Sequence, residues 1–133
     1  MNGSCACGSV TFRAGDALQF VNCHCTLCRG LNGSAFSSYV VVREDSFVVA
    51  GSDALCSHTV TDRTTKFFCG KCGTPICNAN PTTYPGLRML YLGTLANASE
   101  LRPGMNIFCS SKLDWVDSMA SLHGFAEAPT RGG

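Results

Sequence analysis

Apolar residues fall along this chain in short runs, some alternating with polar neighbours and some continuous, and glycine, proline or charged residues interrupt the runs. Ser9-Val10-Thr11-Phe12-Arg13 alternates in the manner of a half-buried strand. Gly15-Asp16 turns the chain, and Leu18-Gln19-Phe20-Val21 predicts a second strand that delivers Cys23 and Cys25. Between Arg29 and Ser34 two glycines in a polar loop predict one helical turn at most. Residues 35–42 and 47–50 are rich in β-branched and aromatic side chains, with Arg43-Glu44-Asp45 between them, and predict a hairpin. Further strands are expected at 56–61, at 87–95 with Gly93 as a bulge, and at 107–109. A terminal helical turn is expected at 117–123, and the chain from Gly124 onward is expected to fray. Short strands between such turns predict an all-β fold: one domain over residues 1–124, with 125–133 as a flexible tail.

Composition adds one anomaly. A chain of 133 residues with 45% apolar and 14% charged content suits a single compact globule, yet it carries ten cysteines. Met1-Asn2-Gly3-Ser4-Cys5 shows no basic region followed by an apolar stretch, so a cytoplasmic protein is expected. Thiols stay reduced there, which favours metal binding over a disulfide framework. No apolar run approaches the roughly 20 residues of a membrane helix, so no membrane partner is expected. A net charge of +1 without a basic cluster gives no footprint for nucleic acid. Seven thiolates (−7) around two zinc ions (+4) would take that charge from +1 to −2.

The chemistry sits in cysteine pairs. Cys23-His24-Cys25-Thr26-Leu27-Cys28 has C-x-C-x-x-C spacing, enough to hold one metal ion but one ligand short of a closed tetrahedral site. If 23–25 is extended, both of its thiolates point one way and His24 the other, so His24 is expected to orient the loop rather than bind the same ion. Zinc held by three protein ligands keeps an exchangeable position, the arrangement of catalytic sites. Cys5-Ala6-Cys7-Gly8 and Cys69-Gly70-Lys71-Cys72-Gly73 supply two more pairs, and Gly73 lets the second turn take a left-handed backbone. Spacing alone leaves the partners open; Cys5 and Cys7 with Cys25 and Cys28 is one alternative. Cys56, Cys77 and Cys109 lie outside the pairs and read as small buried hydrophobes. His58 and His123 read as structural or exposed, and Trp115 as cleft lining or core. Two readings compete with catalysis: a non-catalytic zinc module that binds a protein partner, and a redox pair forming a Cys25 to Cys28 disulfide.

Four blocks in fixed order carry a resemblance. They are Gly3-Ser4-Cys5-Ala6-Cys7-Gly8-Ser9-Val10, then Cys23 to Cys28 running on to Gly33-Ser34-Ala35-Phe36, then Phe68-Cys69-Gly70-Lys71-Cys72-Gly73-Thr74-Pro75, and last Ile107-Phe108 with Ser111-Lys112 and Trp115. The chain thereby resembles the glutathione-dependent formaldehyde-activating enzymes, a family that includes the centromere protein V type of domain. The resemblance implies a β-tent fold of small antiparallel sheets and two zinc ions. It assigns Cys5, Cys7, Cys69 and Cys72 to a structural zinc, and Cys23, Cys25 and Cys28 to a catalytic one. The implied substrate is glutathione, whose sulfur would take the fourth position as a thiolate. Reaction with formaldehyde would give S-hydroxymethylglutathione, with carbon–sulfur cleavage as the reverse; another thiol adduct, biosynthetic or detoxifying, is the alternative. Glutathione carries two carboxylates, which makes Arg29 the first expected contact, Asn32 and Ser34 the next, and Asn106 and Trp115 further lining. Arg29 could equally offset the negative zinc–thiolate cluster. Asn106 is a departure: the family often has histidine there, and asparagine is neither acid nor base near neutral pH. A homodimer stays open.

Overall fold

The computed structural model describes residues 1–129. In chain order the strands are β1 (Asn2–Ser4), β2 (Thr11–Arg13), β3 (Gln19–Cys23), β4 (Ser37–Arg43), β5 (Val48–Ala50), β6 (Leu55–Thr59), β7 (Thr65–Cys69), β8 (Pro75–Ala79), β9 (Leu87–Tyr91) and β10 (Met105–Ile107). One α-helix, α1 (Thr26–Asn32), lies between β3 and β4. The remaining helical segments are short 3-10 turns and one longer 3-10 run at Asp114–Ser121. The all-β expectation is met. No helix among the described residues is long and apolar enough to cross a membrane.

The strands form two sheets. β1, β2 and β5 make a three-stranded antiparallel sheet, and the other seven run in the order β10-β3-β4-β9-β8-β7-β6. Among the described residues only the β10–β3 pairing is parallel. Alternation along β4 and β9 gives the large sheet two unlike faces. Val40, Val42 and Leu90 join Val10, Phe12, Ile76, Cys69 and Cys77 in the main core. The opposite face carries Cys23, Tyr39 and Tyr91, with Cys25, Cys28 and Ile107 packed against them. Register extends this second face sideways: Tyr39 faces Tyr91, Val41 faces Met89, Met89 faces Asn78, and Asn78 faces Lys66. A row of polar side chains therefore crosses four strands on the face that bears the C-x-C-x-x-C cysteines.

Several expected elements are corrected. Residues 35–42 and 47–50 do not form a hairpin: β4 has both edges taken, by β3 and β9, and β5 pairs with β2 in the other sheet. Phe47 packs edge-on against Phe12 with ring centroids 5.5 Å apart, which carries the chain across after a 3-10 turn at Glu44–Ser46. Helix α1 has seven residues, not a single turn. The Cys25 sulfur caps it by accepting from Cys28 N at 3.2 Å, and Gly33, in the left-handed region at φ 60, closes it. Gly30 inside costs about 1 kcal/mol and is outweighed. The strand expected at 87–95 ends at Tyr91, where Leu92–Thr94 turns as 3-10 with Thr94 Oγ1 donating to Tyr91 O at 2.7 Å, so Gly93 lies in a turn and not a bulge. The register shift falls instead between Phe67 and Phe68, opposite Pro75, which has no N–H for the ladder. β10 stops at Ile107 because Phe108 is left-handed at φ 56, and Cys109 begins a 3-10 turn. The expected strand at 56–61 is β6, which starts and stops earlier. The terminal helical turn is a 3-10 run at Asp114–Ser121. Of the expected tail, residues 130–133 lie outside the described residues.

Candidate metal centres

The first cluster joins Cys5, Cys7, Cys69 and Cys72, whose sulfurs all lie within 4.8 Å of one another. Cys5 and Cys7 follow β1 in the small sheet, while Cys69 ends β7 and Cys72 lies in the turn into β8, in the large one. A Zn–S distance of about 2.3 Å sets tetrahedral sulfur–sulfur edges of about 3.8 Å. Cys5 and Cys7 Sγ are 3.6 Å apart, and Cys7 and Cys69 Sγ 3.8 Å. The donor set fits zinc. Gly8 and Gly73, each directly after a second cysteine and both at φ 79, let the two turns curl their sulfurs inward. Thr74 ties the turns together, its Oγ1 accepting from Ala6 N at 3.0 Å while lying 3.1 Å from Cys72 Sγ. That hydroxyl is the main reason the Cys72 thiol is lowered to about 5.

The second cluster is Cys23, Cys25 and Cys28, again with all sulfurs within 4.8 Å. Its residues come from one short segment: the end of β3, the cap of α1 and the first turn of that helix. Cys23 and Cys28 Sγ are 3.7 Å apart, again the edge of a zinc tetrahedron. Cys23 is buried, whereas Cys25 and Cys28 are half-buried. The Cys28 thiol is held above its ordinary value, first by its hydrogen bond with Cys23 and then by burial. Burial also raises Cys25, while Cys23 is lowered chiefly by the bond to Cys28.

His24 points away from the sulfurs, as alternation requires. It is 1% exposed, packs on Phe36 at a centroid distance of 5.0 Å, and reaches Asn106 Oδ1 with Nε2 at 3.0 Å. Ser38 donates to Asn22 Oδ1 and Asn22 Nδ2 donates to Asn106 Oδ1, so Asn106 accepts and His24 Nε2 carries the proton. Asn106 thus holds the histidine that follows the first ligand. Arg29 extends from α1 to donate through Nη1 to Ser111 O at 2.8 Å, clamping the C-terminal segment, and no carboxylate pairs with it among the described residues. Asn32 is engaged on both ends of its amide: Nδ2 donates to Ser37 Oγ at 2.7 Å, and Oδ1 accepts from Lys66 Nζ at 2.8 Å. Ser34 is exposed and donates to Phe36 O. Trp115 is 52% exposed on the 3-10 run and is not core.

Cys77 is buried as expected, and burial pushes its thiol up to about 12. Cys56 and Cys109 are exposed, contrary to their reading as buried hydrophobes. Cys56 is on β6, the edge strand of the large sheet, where it lies against Gly70, and Cys109 follows the Phe108 turn. The sequence reading missed Tyr39, Asn78, Tyr91 and Lys66. Tyr39 OH lies 3.3 Å from Cys28 Sγ, and Lys66 Nζ sits 5.7 Å from the centroid of the Tyr91 ring. Tyr39 and Asn78 could have been flagged only as polar groups inside strands otherwise apolar in pattern.

Over residues 1–111 the chain matches the family described as glutathione-dependent formaldehyde-activating enzyme. It belongs to that family. Among solved structures, a Rhodobacter sphaeroides protein from a structural-genomics programme superposes with a TM-score of 0.65 at 20% identity, over 80% of this chain and 99% of that one. At that identity the likeness is one of fold. No curated protein matches the chain significantly.

Proposed function

We propose that the protein is a zinc-dependent carbon–sulfur lyase or synthase acting on an adduct of glutathione, with S-hydroxymethylglutathione from formaldehyde and glutathione as the leading substrate pair. The observation that carries this reading is the contrast in ligand number, a three-sulfur cluster beside a four-sulfur one in a member of the formaldehyde-activating family. When bound, zinc would supply an open position that accepts a thiol sulfur and holds it as thiolate near neutral pH. Cys23, Cys25 and Cys28 would hold the ion. In the synthetic direction the substrate thiol gives its proton to solvent, its sulfur forms a bond to the aldehyde carbon, the carbonyl π pair moves to oxygen, and that oxygen takes up a proton. The reverse breaks the same carbon–sulfur bond. Asn106 cannot supply the proton and His24 is buried against it, so water exchanging at the open face supplies it.

Arg29 and Lys66 are the cations that fit glutathione's carboxylates. Each makes one hydrogen bond to a neutral acceptor, and neither pairs with an acidic side chain among the described residues. Both keep N–H donors for a charged partner. Asn32 and Ser34 each make hydrogen bonds within the protein, and Lys66, which donates to Asn32, joins them and Arg29 as a candidate substrate contact. The test is exchange between formaldehyde, glutathione and their adduct, followed by NMR. Two-zinc protein accelerates the exchange over the uncatalysed rate and Cys28→Ser returns it to that rate; an equal rate with and without the wild-type protein would refute the reading.

A further inference from the structure

The polar row beneath the three-cysteine cluster is a continuous hydrogen-bonded chain. Lys66 Nζ donates to Asn32 Oδ1 at 2.8 Å; Tyr91 OH reaches Asn32 Oδ1 at 3.2 Å and Asn78 Oδ1 at 2.9 Å; Asn78 Nδ2 donates to Tyr39 OH at 3.2 Å; and Tyr39 OH lies 3.3 Å from Cys28 Sγ. Tyr39, Tyr91 and Asn78 are 5%, 7% and 5% exposed, so water does not satisfy these groups.

The order of protons along the chain is constrained. Lysine has only donors, so the atom of Asn32 that it meets is the oxygen. Tyr91 has a single hydroxyl proton, and two orders follow from where it goes: given to Asn78 Oδ1, the shorter contact at 2.9 Å, it leaves the Asn78 NH2 for Tyr39; given to Asn32 Oδ1 at 3.2 Å, it requires Asn78 reversed, with its oxygen toward Tyr39. Only in the first is the Tyr39 proton free to point at sulfur. A thiolate at Cys28 has no proton and needs donors, which selects the first order. The Tyr39 ring is fixed edge-on against Tyr91, with centroids 5.0 Å apart at an interplanar angle of 61°, which holds the hydroxyl oxygen in place, while the Asn78 NH2 on that oxygen leaves its proton for the sulfur.

We propose that Tyr39 is a positioning residue of the three-cysteine metal site, donating its hydroxyl proton to the Cys28 sulfur while Asn78 and Tyr91 hold it in that direction. The donated bond withdraws electron density from one of three thiolates. It thereby offsets part of the negative charge that three sulfurs place on the ion, and keeps the ion a stronger acid toward an incoming thiol. Sequence spacing could not reveal this, because Tyr39 meets Asn78 and Tyr91 only through strand register.

The inference rests on the reading of Cys23, Cys25 and Cys28 as a metal site, and its test separates the two. The four-cysteine cluster is filled with zinc and the three-cysteine cluster with cobalt(II), whose sulfur-to-metal charge-transfer band reports the electron density on sulfur. Tyr39→Phe keeps the ring and removes the donor, so the band moves to lower energy and the affinity of this site for zinc falls by about tenfold or more. Installing 3-fluorotyrosine at position 39 alone keeps the hydroxyl and makes it a stronger donor, so the band moves to higher energy. A role in packing alone would alter thermal stability without these opposite shifts. Should Tyr39→Phe fail to fold, the fluorinated protein decides. A band unmoved in either folded variant overturns the inference; failure of the wild-type cluster to take any metal overturns the underlying site reading instead.

Discussion

The two cysteine clusters use the same ligand chemistry at opposite scales of the fold. Cys5 and Cys7 meet Cys69 and Cys72 across more than sixty residues of chain and across two sheets, so a metal there would staple the small sheet to the large one beside the core they share. Cys23, Cys25 and Cys28 lie within six consecutive residues, and a metal there fixes only one strand end and one helix cap. Closing a long loop restricts the unfolded chain far more than closing a short one. The contrast teaches that ligand number and chain separation go together here: the four-sulfur set joins distant parts of the fold, and the three-sulfur set lies within one segment, as the proposed division into a structural and a reactive site requires.

The sharpest way to break that contrast is a pair of matched substitutions. Structural zinc contributes on the order of 10–16 kcal/mol of apparent folding free energy, at least as much as the roughly 5–15 kcal/mol net stability of a typical domain. Cys69→Ser is therefore expected to unfold the protein, read as loss of the cooperative transition in circular dichroism. Cys28→Ser is expected to fold, to lose about 1–2 kcal/mol, and to carry one zinc per chain by metal analysis. Equal collapse of the two would erase the distinction between staple and site.

A second difference lies in protons. Cys25 and Cys28 are both held above the ordinary thiol value, so both are protonated at neutral pH and both protons leave when zinc enters the open site. As pH falls the thiol form competes more strongly, and zinc affinity at this site is expected to drop at least about a hundredfold per pH unit below neutrality. Competition with a chromophoric chelator between pH 6 and 7.5 measures the slope, and a flat profile would contradict the assignment of protons. In the staple, Cys72 lies at about 5 and is already ionised over that range. Its thiolate takes up a proton only below that value.

The smallest expected effect concerns the turn geometry of the staple. Gly73→Ala places a Cβ on a backbone at φ 79 with no atom within 4 Å, so the cost is conformational rather than steric. A loss of about 1–2 kcal/mol of stability is expected, seen as a lower thermal midpoint with both zinc ions retained. A change in zinc stoichiometry would show that the glycine does more than permit the turn.

Much of the site was legible because metal-ligand spacing is a local property. The C-x-C and C-x-x-C pairs, the outward turn of His24 and the left-handed Gly73 follow from residues adjacent in sequence, and the structure brings the pairs together in the grouping the family resemblance implied. The alternation of Val10 with Phe12 likewise marked a strand that the structure contains. What was not legible depends on contacts made at a distance. Whether Phe47 carried its strand back along β4 or across to β2 was decided by which edges were free and by the Phe12 ring. β1 pairs with β2 through its main chain, and Asn2-Gly3-Ser4 shows no side-chain pattern to announce it. The Tyr39, Asn78, Tyr91 and Lys66 row exists only once four strands are in register. Cys56, Cys109 and Trp115 show the converse, apolar side chains left exposed among the described residues although their residue types favour burial.

The central claim is that one zinc is held by three protein sulfurs with room for a substrate sulfur, and X-ray absorption at the zinc edge of the two-zinc protein tests it directly. Without thiol the account predicts an average of about 3.5 sulfurs per zinc, with lighter scatterers completing the shell, rising to about 4 when glutathione is added. Four sulfurs per zinc before any thiol is added, or an average that glutathione leaves unchanged, would contradict it.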